Sequence, residues 1–129
     1  MKILVLVLTI LFSASSIACK CGELEIGERL SNAQKVYWGK LTNANVLGDG
    51  SRISATIQVV ESFKGEAFIH EEVITNNTSC AVRFTINDSY LVFEDNSGQV
   101  NQCTMFNTSL FYSKSGQENL NKLRQLVKE

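Results

Sequence analysis

Two cysteines one residue apart, Cys19 and Cys21, stand directly after an apolar stretch that opens the chain. In an extended segment, residues i and i+2 point to the same side, so both sulfurs can fasten the chain to one surface. Fastening there also fixes whatever begins at Cys19. If the chain is cut after Ala18, what begins there is a free α-amine. A fixed amine beside its own residue's carbonyl oxygen can close a five-membered chelate on a metal ion. A catalytic zinc keeps an open position for such ligands. The α-amine has a pKa of about 8, so losing its proton at neutral pH costs little, and a nearby zinc lowers that cost further. The chemistry that Cys19-Lys20-Cys21 suggests is therefore chelation of a metal ion by the amine and carbonyl of Cys19.

The segment ahead of Cys19 supports such a cut. Met1-Lys2 is followed by an apolar run from Ile3 to Phe12 and then by Ser13-Ala14-Ser15-Ser16-Ile17-Ala18. A basic start, about ten apolar residues and a small-residue end make a secretory signal over 1–18, with Ser16 and Ala18 at the small positions of the cut. The run is shorter than the roughly 20 residues a membrane span needs, and no later stretch is long and apolar enough, so no membrane span is expected. Lipidation of Cys19 is the competing fate, but its signal carries Leu three residues before the cysteine, where Ser16 stands. An exported chain is secreted, extracellular or periplasmic. In that setting the even set Cys19, Cys21, Cys80 and Cys103 reads as disulfides. Spacing leaves the pairing open. A Cys19–Cys21 ring would be very tight and ranks last, whereas both long-range pairings close loops of about 60 to 85 residues.

Other chemistries find little support. With 12 basic and 13 acidic residues and no basic cluster, a phosphate-binding surface is not expected, so nucleic acid is not an expected partner. The one histidine, His70, sits with Glu71 and Glu72 in a strand-like stretch. Without a second histidine, and with the cysteines committed, it reads as a solvated edge and not a metal ligand. There is no Gly-rich phosphate loop and no nucleophile elbow. No enzyme activity, no cofactor and no resident metal are expected. Cys-x-Cys as a redox pair is disfavoured because no βαβ pattern surrounds it. Trp38 reads as core. Asn76, Asn77, Asn87 and Asn107 open Asn-x-Ser/Thr triplets, which matter only in a eukaryotic secretory pathway.

The elements that must carry these residues are short and mostly extended. Ile26, Leu30 and Ala33 predict a helix within Glu23 to Ala33. Val36 to Leu47 and Arg52 to Phe63 are strands flanking the Gly48-Asp49-Gly50 turn. Ile53, Ala55, Ile57, Val59 and Phe63 alternate on the second of them. Lys64-Gly65-Glu66 turns into a third strand, Ile69 to Thr75. A fourth covers Tyr90 to Glu94, and Asn96-Ser97-Gly98 leads to a fifth around Val100 to Thr104. Leu120, Leu123 and Val127 form one face of a C-terminal helix, Gln117 to Lys128. The expected fold is mainly β with flanking helices: a five-stranded, OB-like closed barrel with a disulfide-stapled N-terminus. Nothing after Ala18 marks a boundary, so 19–129 reads as one domain.

On these residues the chain resembles the tissue inhibitors of metalloproteinases within the wider netrin-like family, and most of all their short single-domain bacterial members. The likeness runs from Cys19-x-Cys21 through Val36-Tyr37-Trp38-Gly39-Lys40 and Glu61-Ser62-Phe63-Lys64-Gly65 to Cys80, Tyr90-Leu91-Val92-Phe93 and Cys103. The resemblance implies an OB-like barrel and the pairs Cys19–Cys80 and Cys21–Cys103. It implies a metalloendopeptidase inhibitor whose Cys19 amine and carbonyl chelate the zinc of a target metalloproteinase. Lys20 would enter the pocket beyond the scissile position, and Thr78 and Ser79 would lie alongside. Lys20 and Gly22 depart from the animal inhibitors, which carry a small hydroxyl and an apolar residue there. Their second domain and the third disulfide of their first domain are also missing. Other netrin-like domains serve as extracellular binding modules with no protease target, and this is the alternative reading.

Overall fold

The computed structural model describes residues 19–22, 24–109 and 114–128; the expected signal segment 1–18 lies outside them. A five-stranded antiparallel sheet forms the body, with β1 (Lys35–Leu47), β2 (Arg52–Lys64), β3 (His70–Asn76), β4 (Ser89–Glu94) and β5 (Met105–Asn107) in the order β3-β2-β1-β4-β5. Helix α1 (Ile26–Asn32) precedes the sheet and α2 (Lys114–Lys128) follows it. β1 and β2 join through a tight turn in which Gly48 and Gly50 take positive φ of 53° and 89°, and the Ser51 amide donates to Asp49 Oδ1. Only residues without a Cβ adopt that backbone cheaply.

The β1–β2 ladder is irregular at three places, between Val36 and Tyr37, Trp38 and Gly39, and Leu41 and Asn43. Bulges of this kind bend and twist a sheet. At Gly39 the two strands approach so closely that a Cβ would run into the Gln58 carbonyl oxygen. The sheet is lined on both faces. Tyr37, Leu41, Ala55, Ile57, Val73, Tyr90, Val92 and Met105 meet in one core. Val36, Leu91 and Phe93 pack on the other face against Ile26 and Ala33 and against Leu120 and Leu123 of α2. β4 is buried along almost its whole length because it contributes to both cores.

The structure departs from the expected elements at several points. The ladders do not close: β3 and β5 remain the two edges, so the closed barrel is not formed by them. One parallel bridge between Ile74 and Gln99 ties β3 to the segment ahead of β5, with Ile74 N donating to Gly98 O (3.0 Å) and Val100 N to Ile74 O (2.8 Å). The fifth strand is Met105–Asn107, not Val100 to Thr104. Asn101 captures Cys103 N through its side chain (2.8 Å), and its carbonyl takes Thr104 N (3.0 Å), which holds that stretch as a turn. The first helix starts at Ile26, and Val127 is 46% exposed although it follows the helical pattern. Among the described residues, no helix is long and apolar enough to cross a membrane.

Candidate functional site: the stapled N-terminal segment

Cys19 is bonded to Cys80 and Cys21 to Cys103, with Cα separations of 5.0 and 5.2 Å. This is one of the two long-range pairings that spacing left open. The bonds are neighbours, since Sγ of Cys19 lies 3.9 Å from Sγ of Cys103. The sulfurs of Cys19, Cys21 and Cys103 fall within 4.8 Å of one another, but as disulfides they offer no thiolate to a metal. Both staples land on loops held firmly by the sheet. Gln102 joins the two landing points: its amide N donates to Cys80 O (3.0 Å) and its side chain to Ala81 O (3.0 Å).

The bond to Cys80 sets Thr78 and Ser79 beside Cys19. Both are exposed, in a turn closed by Ala81 N donating to Thr78 O (3.1 Å) and Cys80 N to Thr78 Oγ1 (3.2 Å). Lys20 is also exposed, and no hydrogen bond or ion pair holds its ammonium among the described residues. Cys19 itself is half-buried. The Cys19–Cys80 bond thus joins Cys19 to the turn that carries Thr78 and Ser79, and Lys20 lies between two residues that are both fixed by disulfides.

A third fastening, Arg29, has no counterpart in the sequence reading. Its Nη1 donates to Cys103 O at 2.6 Å and its Nη2 to Gly22 O at 3.3 Å, while the guanidinium lies over the Phe106 ring, 5.2 Å from its centroid. Phe106 is held in turn by an edge-on contact with Phe93, centroids 6.1 Å apart. α1 can present Arg29 this way because Ile26 is buried in the helix-side core, which fixes the helix's rotation. One side chain therefore ties the carbonyl just after Cys21 to the carbonyl of Cys21's own disulfide partner.

Several other ionisable groups are engaged within the sheet. Tyr37 OH donates to Glu94 Oε2 (2.9 Å), and burial pushes both groups above their ordinary pKa, with Glu71 adding to the rise. Glu71 is 5% exposed and takes Lys35 Nζ (2.9 Å) and Phe68 N (2.8 Å). His70 is exposed and joins no cluster of metal-binding groups among the described residues. Trp38 is half-buried, not fully core. Its Nε1 donates to Thr108 Oγ1 (2.8 Å), and its ring carries Arg124, which is paired with Glu61. No protein-family model matches this chain, and a search of curated proteins finds no significant match.

Proposed function

We propose that the chain is an exported inhibitor of a zinc metalloendopeptidase, similar in design to the tissue inhibitors of metalloproteinases. On this reading, cleavage after Ala18 frees the α-amine of Cys19. The amine and the Cys19 carbonyl oxygen then take the open positions of the target's zinc and displace its water. With nothing bonded ahead of Cys19, the bound segment presents no peptide bond for the enzyme to cut. Lys20 enters the pocket beyond the scissile position, and Thr78 and Ser79 line the cleft beside it. The coiled sheet with its single Ile74–Gln99 bridge is then an OB-like barrel open along one seam.

The observation that carries this reading is the triple fastening of Cys19 to Gly22 by two disulfides and Arg29. A tail that only needed to be tethered would be served by one bond. Ordering it at both cysteines and at Gly22 removes freedom that an inhibitor would otherwise lose on binding. The exposed Lys20 favours the second reading, a netrin-like extracellular binding module. A long ammonium is costly in an apolar pocket unless an acid meets it there.

The test is a titration of the mature protein, a form with Ala added before Cys19, and Lys20→Thr against a panel of zinc proteases. The native protein is expected to inhibit at least one, and the extended form none, because the added residue turns the chelating amine into an amide. Inhibition by native and extended proteins alike would refute the amine mechanism. No inhibition across the panel would leave the binding module as the better reading.

A further inference from the structure

Residues 82–85 read as a strand without a ladder. Burial alternates, with Val82 buried, Arg83 exposed, Phe84 half-buried and Thr85 exposed, yet the segment belongs to no pair of strands. It is pinned by side chains instead. Val82 N donates to Thr75 Oγ1 (3.2 Å), Thr85 N to Tyr90 OH (2.9 Å), and Tyr90 OH to Arg83 O (3.0 Å). Phe84 is left with neither its N–H nor its C=O taken, and the Arg83 N–H and Val82 C=O are also without a partner among the described residues. A fixed, half-extended segment with open backbone groups is what strand addition uses.

A trough flanks this segment on each side. One, of about 430 Å³, lies toward Val46 and Ile53 of the β1–β2 hairpin and toward Ser79; the other, of about 590 Å³, lies toward Phe106 and Asn107. Val82, Arg83 and Gln102 line both, so the two adjoin at the segment. No carboxylate lines either trough among the described residues, although acidic residues outnumber basic ones in the chain. Among the described residues, the Arg83 guanidinium is the one charge in them and has no ion-pair partner.

We infer that Val82–Phe84 is a docking edge for an extended, acidic segment of a partner protein, which pairs its backbone with Phe84 and places a carboxylate on Arg83. The open backbone pair calls for an extended chain, and the lone unpaired cation in an acid-free trough calls for a negative side chain. The site makes no use of the Cys19 amine; Thr78 and Ser79 line the edge of the first trough, and the test reads Arg83 and Phe84 directly, so its outcome is distinguishable from that of the inhibitory reading.

The test is a titration of the ¹⁵N-labelled protein with an acetylated, amidated Val-Glu-Val-Glu-Val peptide and with its Gln and Lys counterparts. The Glu peptide is expected to shift the Arg83 and Phe84 amide resonances and to slow their hydrogen exchange. The Gln peptide should bind about three- to fivefold more weakly, the scale of an exposed ion pair. Arg83→Gln should erase that difference while leaving the fold unchanged. The form with Ala added before Cys19 should bind like the native protein even though it inhibits no protease. Unmoved Arg83 and Phe84 resonances, equal binding of the Glu and Lys peptides, or an intact preference in Arg83→Gln would each overturn the inference.

Discussion

Replacing Arg29 by Met tests whether the N-terminal segment is held by more than its disulfides. The 2.6 Å bond from Nη1 to the half-buried Cys103 carbonyl is charge-assisted, a type worth about 1.5 to 3 kcal/mol. The arm to Gly22 O is longer, at 3.3 Å, and exposed, and adds little to stability. The contact with the half-buried Phe106 ring contributes about 0.5 to 1 kcal/mol. Met keeps part of the packing of the aliphatic stem, so the net cost is about 2 to 3 kcal/mol. For a domain near 100 residues that is a fall in Tm of about 10 °C. Thermal melts of oxidised native and Arg29→Met proteins measure it, and amide exchange at Cys21 and Gly22 measures the fastening itself. Arg29→Lys should fall between the two, because one ammonium cannot reproduce a planar fork that reaches two carbonyls while stacking on a ring. A Tm change below about 3 °C would refute the energetic argument. A large Tm change with unaltered exchange at Cys21 and Gly22 would show that Arg29 braces α1 and β5 but does not order the N-terminus.

Two further outcomes follow from the same geometry. Burial, with the nearby Glu71 charge, raises the carboxyl pKa of Glu94 in the folded state, so the fold holds that proton more tightly than the unfolded chain does. This contribution is complete below the ordinary carboxylate range and is lost as pH rises through the folded value. Glu94→Gln should therefore flatten the decline in urea midpoint as pH rises above the ordinary carboxylate range, and parallel curves for the two proteins would contradict the assignment. Once Cys19–Cys80 is closed, Cys21–Cys103 closes a ring of only about 25 residues, worth about 3.5 kcal/mol in the chain-entropy picture. Cys21→Ser with Cys103→Ser should lower stability by about that much and leave the far-ultraviolet spectrum of the sheet unchanged, whereas loss of the β signal would mean that the staple and not the core holds the sheet.

The alternation of apolar residues made most of the sheet legible. Ala55 and Ile57 are buried on β2 as their spacing requires, and Val73 and Val92 follow the same rule on β3 and β4. Turn residues marked the β1–β2 hairpin to within a residue. The fifth strand was displaced because a short apolar alternation at Val100 could not reveal that Asn101 closes a turn with its own side chain. Closure was unreadable for a related reason. It depends on whether the chain between β4 and β5 lies flat against β3 or curls, and that is settled by hydrogen bonds such as Asn101 to Cys103 that leave no periodic trace.

The site divides along the same line. Cys-x-Cys after an apolar leader is visible because its meaning lies in residue types at a fixed spacing. Arg29 is invisible because both of its acceptors are backbone carbonyls, which any residue supplies, one 7 and the other 74 positions away in the chain. In a helical pattern it reads as an ordinary solvent-face cation. The Val82–Phe84 edge is hidden in the opposite way. Its alternation is only three or four residues long, and what makes it an edge is the absence of a neighbour. That absence arises because Thr75 and Tyr90 side chains occupy the positions where a paired strand would donate and accept. Side-chain hydroxyls can fix a segment without satisfying its whole backbone, and the groups they leave open are the ones a partner can use.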